Sequence, residues 1–156
     1  FPNRTVHIAD SQSDLDTIRE WALAQPQISL DIETAKGQIT CVGFGTAFEA
    51  YVIPICTPAI SYWAEVADEV LAWRVIKTIC ESPVPKVGQN GLYDIQWLYR
   101  HNIRVVNYEH DTMIAHHVLM PEAQKSLGYL GSIHANVPAW KHLRQRGVTE
   151  GKRDDE

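Results

Sequence analysis

The order of periodic segments in this chain predicts an α/β domain: a mixed sheet, part antiparallel meander and part parallel, with helices on both faces. Three observations carry that expectation. Three strand-like runs follow one another through residues 28 to 54 with only tight connections between them, as antiparallel strands are joined. Beyond residue 60, segments with apolar residues at helical spacing alternate with short apolar runs, a pattern of helices interleaved with strands. The chain has 156 residues, 45% of them hydrophobic and 21% charged, which suits one domain with one core.

"RTVHIAD" alternates through Val6 and Ile8 and reads as the first strand. In "SQSDLDTIREWALAQ", Ser11 ahead of Asp14 reads as an N-cap. Leu15, Ile18, Ala22 and Gln25 mark one helical face, and Pro26 ends the helix. Residues 28 to 34 form the next strand, and "QITCVGFGTAFEAYVIPI" reads as two more with a turn near Ala47 to Glu49. "SYWAEVADEVLAWRVIKTICES" reads as an amphipathic helix with Trp63, Val66, Val70, Trp73 and Ile76 on its apolar face. "VPKVGQN" is a short strand, "GLYDIQWLYRHN" a helix and "IRVVN" a strand. "HDTMIAHHVLM" is a helix ending before Pro121, and "SLGYLGSIHA" the last helix. The order is β-α-βββ-α-β-α-β-α-α, with no repeat and no low-complexity linker.

Composition removes several classes of function. No run of about 18 apolar residues exists, so no membrane-spanning helix is expected. No signal peptide is visible, and the first residue is Phe1 rather than Met, as in a processed chain, an excised domain or an ordered part of something larger. Cys41, Cys56 and Cys80 are odd in number and have no CxxC spacing. They read as reduced thiols of a cytoplasmic protein, not as a zinc site. The net charge of −5 argues against broad coating of nucleic acid, which needs a basic face. An enzyme gripping a few nucleotides stays open. The segment "KHLRQRGVTEGKR", residues 141 to 153, is basic and reads as a solvated tail or as a surface facing phosphates.

Two constellations carry chemistry. In "SLDIET", Asp31 and Glu33 interrupt the apolar positions Ile28, Leu30 and Ile32. Residues i and i+2 of a strand share a face, about 7 Å apart along the backbone. The strand is therefore apolar on one side and acidic on the other. Two partly buried carboxylates raise one another's pKa, and a divalent cation such as Mg²⁺ or Mn²⁺, which prefers carboxylate oxygen, relieves that repulsion. The plainer alternative is a surface strand with two acids. In "KVGQNGLYDIQWLYRHN", an apolar strand end meets Gly88 and a helix, with Asn90 and Asp94 on one helical face. A helix starting at the carboxyl end of a strand directs its first turn to the edge where α/β sheets place their sites. Here the plainer alternative is a capping Asn90 and a solvated first-turn Asp94.

"LDIET", then "VGQNGLYDIQWL", "HDTMIAHHVL" and "SLGYLGSI" together resemble the 3′–5′ exonuclease (proofreading) domain of family A DNA polymerases, in the DEDD exonuclease superfamily. The likeness runs from Arg4 to about Ala135. Its D-x-E motif is matched by Asp31 and Glu33, and its N-x-x-(Y/F)-D motif by Asn90, Tyr93 and Asp94. "DTM" at Asp111 to Met113 and "SL" at Ser126 and Leu127 match the connecting helices.

The resemblance implies a ribonuclease H-like fold with a mixed five-stranded sheet, in a single exonuclease domain over residues 1–156. It implies hydrolysis at the 3′ end of single-stranded DNA, releasing a nucleoside monophosphate, with two divalent cations, Mg²⁺ or Mn²⁺, held by Asp31, Glu33 and Asp94. Thr34 and Asn90 would contact the terminal nucleotide. Gln89 and Tyr93 would lie near the single strand, and Lys125 would meet a phosphate. A polymerase domain in the same chain and a bacterial or phage-like cytoplasmic setting go with it. Two other readings stay open: a ribonuclease D-like trimming enzyme for RNA, and a catalytically silent structural or nucleic-acid-binding domain of a polymerase.

Two departures stand out. The family's third motif, Tyr or His four residues before Asp, is absent, and the late acids Asp154 and Asp155 follow Glu150 and Gly151. The expectation is a chain that stops just before that helix. The bulky apolar wedge that the family places after D-x-E is replaced by Lys36 and Gly37 in "TAKG".

Other features read as structural. Adjacent His116 and His117 point about 100° apart on a helix and form no ligand pair. They and His110 read as core or surface residues, Asp111 as the N-cap of the helix after it, and Trp63, Trp73 and Trp97 as core or interface residues. A D-x-D-x-T phosphotransferase loop does not fit, because the second acid is Glu.

Overall fold

The structure, a computed structural model, describes residues 4–135. The chain divides into two compact units, Phe1–Thr112 and Met113–Glu156. The first unit holds the sheet. Its elements are β1 (Thr5–Ile8), α1 (Gln12–Ala24), β2 (Ile28–Ala35), β3 (Gln38–Gly45), β4 (Glu49–Pro54), α2 (Val66–Cys80), β5 (Lys86–Gly88), α3 (Gly91–Arg100) and β6 (Tyr108–Asp111). Helices α4 (Thr112–Leu119) and α5 (Leu127–His134) follow.

The sheet has six strands rather than five, in the order β1-β4-β3-β2-β5-β6. The expected meander is present: β2, β3 and β4 pair antiparallel. The strands outside it, β1 on β4, β5 on β2 and β6 on β5, all pair parallel. The short edge strand β1, exposed at every residue, completes the sixth place.

Local chemistry sets the boundaries. Ser11 and Asp14 form a full capping box at the start of α1, each side chain accepting a backbone N–H of the other. Leu15, Ile18 and Ala22 are buried as their spacing predicts. Lys36 (φ 49°) and Gly37 (φ 79°) are both left-handed and form the two-residue turn between β2 and β3. Positive φ at both positions is the geometry that matches the twist of a hairpin. The "KG" that replaces the expected wedge is thus the hairpin turn itself.

Two expectations shift. Val66 and Val70, expected on the inner stripe of α2, are exposed. Ile76 is buried as expected, and Ala72, Val75, Ile79 and Cys80 complete the stripe, while Trp63 is buried ahead of the helix. The "IRVVN" segment is not a strand. Asn102 and Asn107 are left-handed and bracket it, and the Val106 N–H bonds to the Cys80 carbonyl. Strand β6 starts at Tyr108, just past Asn107. Apolar composition marked the segment as buried, and the two Asn residues decided its backbone.

One apolar core joins Ile28, Leu30 and Ile32 of β2 with Val42 and Phe44 of β3, Ile53 of β4, and residues of α1, α2 and α3. In the second unit Leu130 and His116 are buried. The His116 Nδ1 lies 3.2 Å from the His134 Nε2, so His116 is a core residue there.

The hairpin turn generates a test. Asn accepts left-handed geometry at less cost than Lys. Lys36→Asn is expected to raise the thermal midpoint by a few degrees, measured by circular dichroism. A lowered midpoint would contradict the turn assignment.

Candidate active site

The site starts from the pleat of β2. Ile28, Leu30 and Ile32 are buried, and Asp31 and Glu33 between them are exposed. Opposite them on β3 stand Gly43 and Cys41. The two acids therefore present one open acidic face, not the partly buried pair expected. Burial and the charge of Glu33 push the Cys41 thiol above its ordinary range, so it stays protonated.

The buried carboxylate is Asp94. It is 4% exposed, although it sits in the first turn of α3, where a solvated acid was the alternative. Strand β5 pairs with β2 only at Ile28 and Ser29 and ends at Gly88. The edge of β2 beyond is left to α3, and there the Ile32 N–H donates to Asp94 Oδ1 at 3.3 Å. Ile32 is the residue between Asp31 and Glu33, so this bond brings α3's carboxylate to the acidic motif. Burial first, then the negative charge of Asp31, push the Asp94 carboxyl up to about 7, with a smaller contribution from Asp111. Desolvated negative charge beside a second carboxylate favours a proton or a cation.

The flanking residues assemble around this core. The β2–β3 register shifts between Glu33 and Thr34, and a bulge of this kind re-aims the side chain after it. The Thr34 hydroxyl lies 2.6 Å from the Tyr93 hydroxyl, joining two residues expected at the nucleic acid. Asn90 is left-handed (φ 58°, ψ 42°), and its side chain makes no capping bond to α3. Asn90 thus holds the N-cap position without the side-chain bond that the plainer alternative needs. Gln89 accepts a hydrogen bond from the Thr112 hydroxyl through Oε1. Lys125 lies in the second unit, where its ammonium donates to the Pro121 carbonyl at 3.0 Å. Asp154 and Asp155 lie outside the described residues.

Asp111 was missed in the sequence. Its carboxylate, expected to cap α4, reaches the start of α3. It accepts the backbone N–H groups of Asn90 at 3.1 Å and Gly91 at 2.8 Å, two amides at the start of α3. The Tyr108 hydroxyl also donates to it at 3.3 Å. The contact is tertiary, and no local pattern announces it.

Among the described residues no three His, Cys, Asp or Glu side chains stand close enough together to hold a metal ion. The donor chemistry nonetheless fits a hard divalent cation: three carboxylates, one of them with its charge suppressed by burial and a like neighbour. No helix among the described residues is long and apolar enough to cross a membrane.

Comparison with known proteins identifies the family and the fold. A family model described as 3′–5′ exonuclease matches residues 6–144. No curated protein sequence gives a significant match. Among solved structures, the EXO domain of Nibbler from Aedes aegypti superposes with a TM-score of 0.65 at 16% identity, covering 93% of this chain and 77% of that one. RNase D from Trypanosoma brucei in complex with RNA gives 0.69 at 13% identity, covering 92% and 51%. The POL domain of Pol1 from M. smegmatis, in complex with a DNA primer-template and dNTP, gives 0.64 at 14% identity, covering 84% and 23%. This chain thus spans about half of that RNase D and under a quarter of that polymerase. At these identities the likeness shows a shared ribonuclease H-like fold. With the family model matching most of its length, the chain belongs to the 3′–5′ exonuclease family.

Proposed function

We propose that this chain removes nucleotides from the 3′ end of single-stranded DNA by two-metal-ion phosphodiester hydrolysis, in a proofreading role beside a polymerase domain. The observation that carries the reading is the bond from the Ile32 amide to buried Asp94, which ties a third carboxylate to the strand that carries exposed Asp31 and Glu33. Family membership supports it, and exonucleases of this superfamily generally use divalent metal ions.

Asp31, Glu33 and Asp94 would hold the cations. Bound there, divalent cations supply a water of lowered pKa and stabilise the leaving oxygen. The chain's own residues do the rest. Glu33, exposed at the end of the acidic face, accepts hydrogen bonds from an approaching water. Thr34 and Tyr93, already bonded to each other, hold the terminal nucleotide with Asn90, so the scissile phosphate meets the carboxylates. In net terms one water is consumed. Its oxygen bonds to phosphorus, the bond from phosphorus to the 3′ oxygen breaks, and that oxygen takes a proton. A nucleoside monophosphate leaves, and the shortened strand keeps a 3′ hydroxyl.

A second reading is trimming of RNA. The RNase D of T. brucei, similar in fold, was solved with RNA bound, and carboxylates that grip a phosphodiester do not read the 2′-hydroxyl. One assay separates the readings. The chain, and a version extended at its C-terminus, are incubated with 5′-labelled single-stranded DNA or RNA and Mg²⁺ or Mn²⁺. DNA is expected to shorten from its 3′ end, faster than RNA, and Asp31→Ala or chelator is expected to stop it. Faster loss of RNA moves the assignment to the second reading. No shortening of either strand by either version leaves a silent binding domain.

Asp94 supplies a second test. Its pKa is raised on folding, so between the ordinary carboxylate range and about pH 7 the folded state keeps a proton that the unfolded state has lost. The metal-free protein therefore loses stability as pH rises through that window. Asn at this position keeps an acceptor for the Ile32 N–H and carries no charge. Asp94→Asn is expected to melt several degrees above wild type at pH 8 without metal, with the gain shrinking toward pH 4, and to be inactive. Equal midpoints at both pH values would contradict the buried charge.

A further inference from the structure

We propose that Asp111 is a positioning residue of the exonuclease site, acting from β6 through the first turn of α3. This rests on the exonuclease reading and adds a residue outside the three carboxylates of that site.

The geometry is specific. The amides of Asn90 and Gly91 point into one carboxylate, at 3.1 and 2.8 Å, one to each oxygen. The start of an α-helix leaves its first N–H groups without intrahelical partners, and a negative charge there is favourable. Asn90 itself gives no side-chain cap, so Asp111 does the capping from 20 residues away along the chain. The bond from the Asn90 amide holds that residue in a left-handed conformation, one that Asn adopts more readily than most residues but still as a single, locally supported position. That conformation fixes where the Asn90 side chain points. Three residues beyond Gly91 in the same turn is Asp94, whose carboxylate must reach the Ile32 amide.

Tyr108 locks the arrangement. Its hydroxyl donates to Asp111 Oδ2 at 3.3 Å, and its ring fills the space left by Gly91, where an added Cβ would collide with the Tyr108 hydroxyl and ring. Strand β6 thus brings a ring and a carboxylate together against the β5–α3 turn. Both carboxylate oxygens of Asp111 face amides, so it acts through Asn90 and Asp94.

The test compares wild type, Asp111→Ala and Asp111→Asn in the full chain with two readouts. One is hydrogen exchange of the Asn90 and Gly91 amides against the core amides of Val42 and Ile76. The other is Mn²⁺ affinity by calorimetry. Asp111→Ala is expected to speed exchange at Asn90 and Gly91 at least tenfold more than at the core amides, and to weaken Mn²⁺ binding about tenfold. Asp111→Asn, which keeps one acceptor oxygen, is expected to fall between. Exchange at Asn90 and Gly91 within twofold of wild type, or acceleration shared equally by the core amides, overturns the proposal. So does unchanged Mn²⁺ affinity in Asp111→Ala. If wild type itself binds no Mn²⁺, the metal-dependent reading fails and the exchange result alone judges the clamp.

Discussion

The hydrogen bond from the Ile32 amide to the Asp94 carboxylate organises this molecule. It joins the strand that carries Asp31 and Glu33 to the helix that carries the third acid. It also puts a carboxylate where water barely reaches, beside another carboxylate, so that its charge is suppressed up to about pH 7. A fold seeking stability alone would place an apolar residue there. Here burial and like charge leave a deficit that favours a proton or a cation at this position.

The rest of the first unit prepares that contact. Strand β2 anchors through Ile28, Leu30 and Ile32 in the core, so its pleat turns Asp31 and Glu33 outward together. Strand β5 stops at Gly88 and leaves the β2 edge open for Asp94. The bulge after Glu33 brings Thr34 within bonding distance of Tyr93. Asp111 and Tyr108 hold the β5–α3 turn from the far strand. Left-handed backbone at Asn90 is tolerated at this turn because the surrounding contacts over-determine it.

Much of this was legible in the sequence, for identifiable reasons. The i, i+2 spacing of Asp31 and Glu33 against Ile28, Leu30 and Ile32 could produce only a two-faced strand, and Ser11 with Asp14 a capped helix. The order of motifs gave the family. What stayed hidden depends on tertiary contact. Asp94 was marked by its motif and its place after the strand, but its burial depends on the end of β5, which leaves a strand amide open to it. Asp111 sat before an apolar helix and read as its cap, whereas its carboxylate turns to another helix. In "IRVVN" the apolar pattern outweighed Asn102 and Asn107, whose backbone preference set the true strand start. Lys36 and Gly37 read as a missing wedge, whereas the pairing of Ala35 with Gln38 makes them the left-handed turn of a hairpin.

The most direct measurement is a carboxyl ¹³C NMR titration of Asp94 in the metal-free protein, repeated with saturating Mg²⁺. A midpoint near 7 without metal, moving down when Mg²⁺ is added, is the predicted result. A midpoint in the ordinary carboxylate range, unmoved by Mg²⁺, would contradict the claim that this buried acid is held in readiness for a cation.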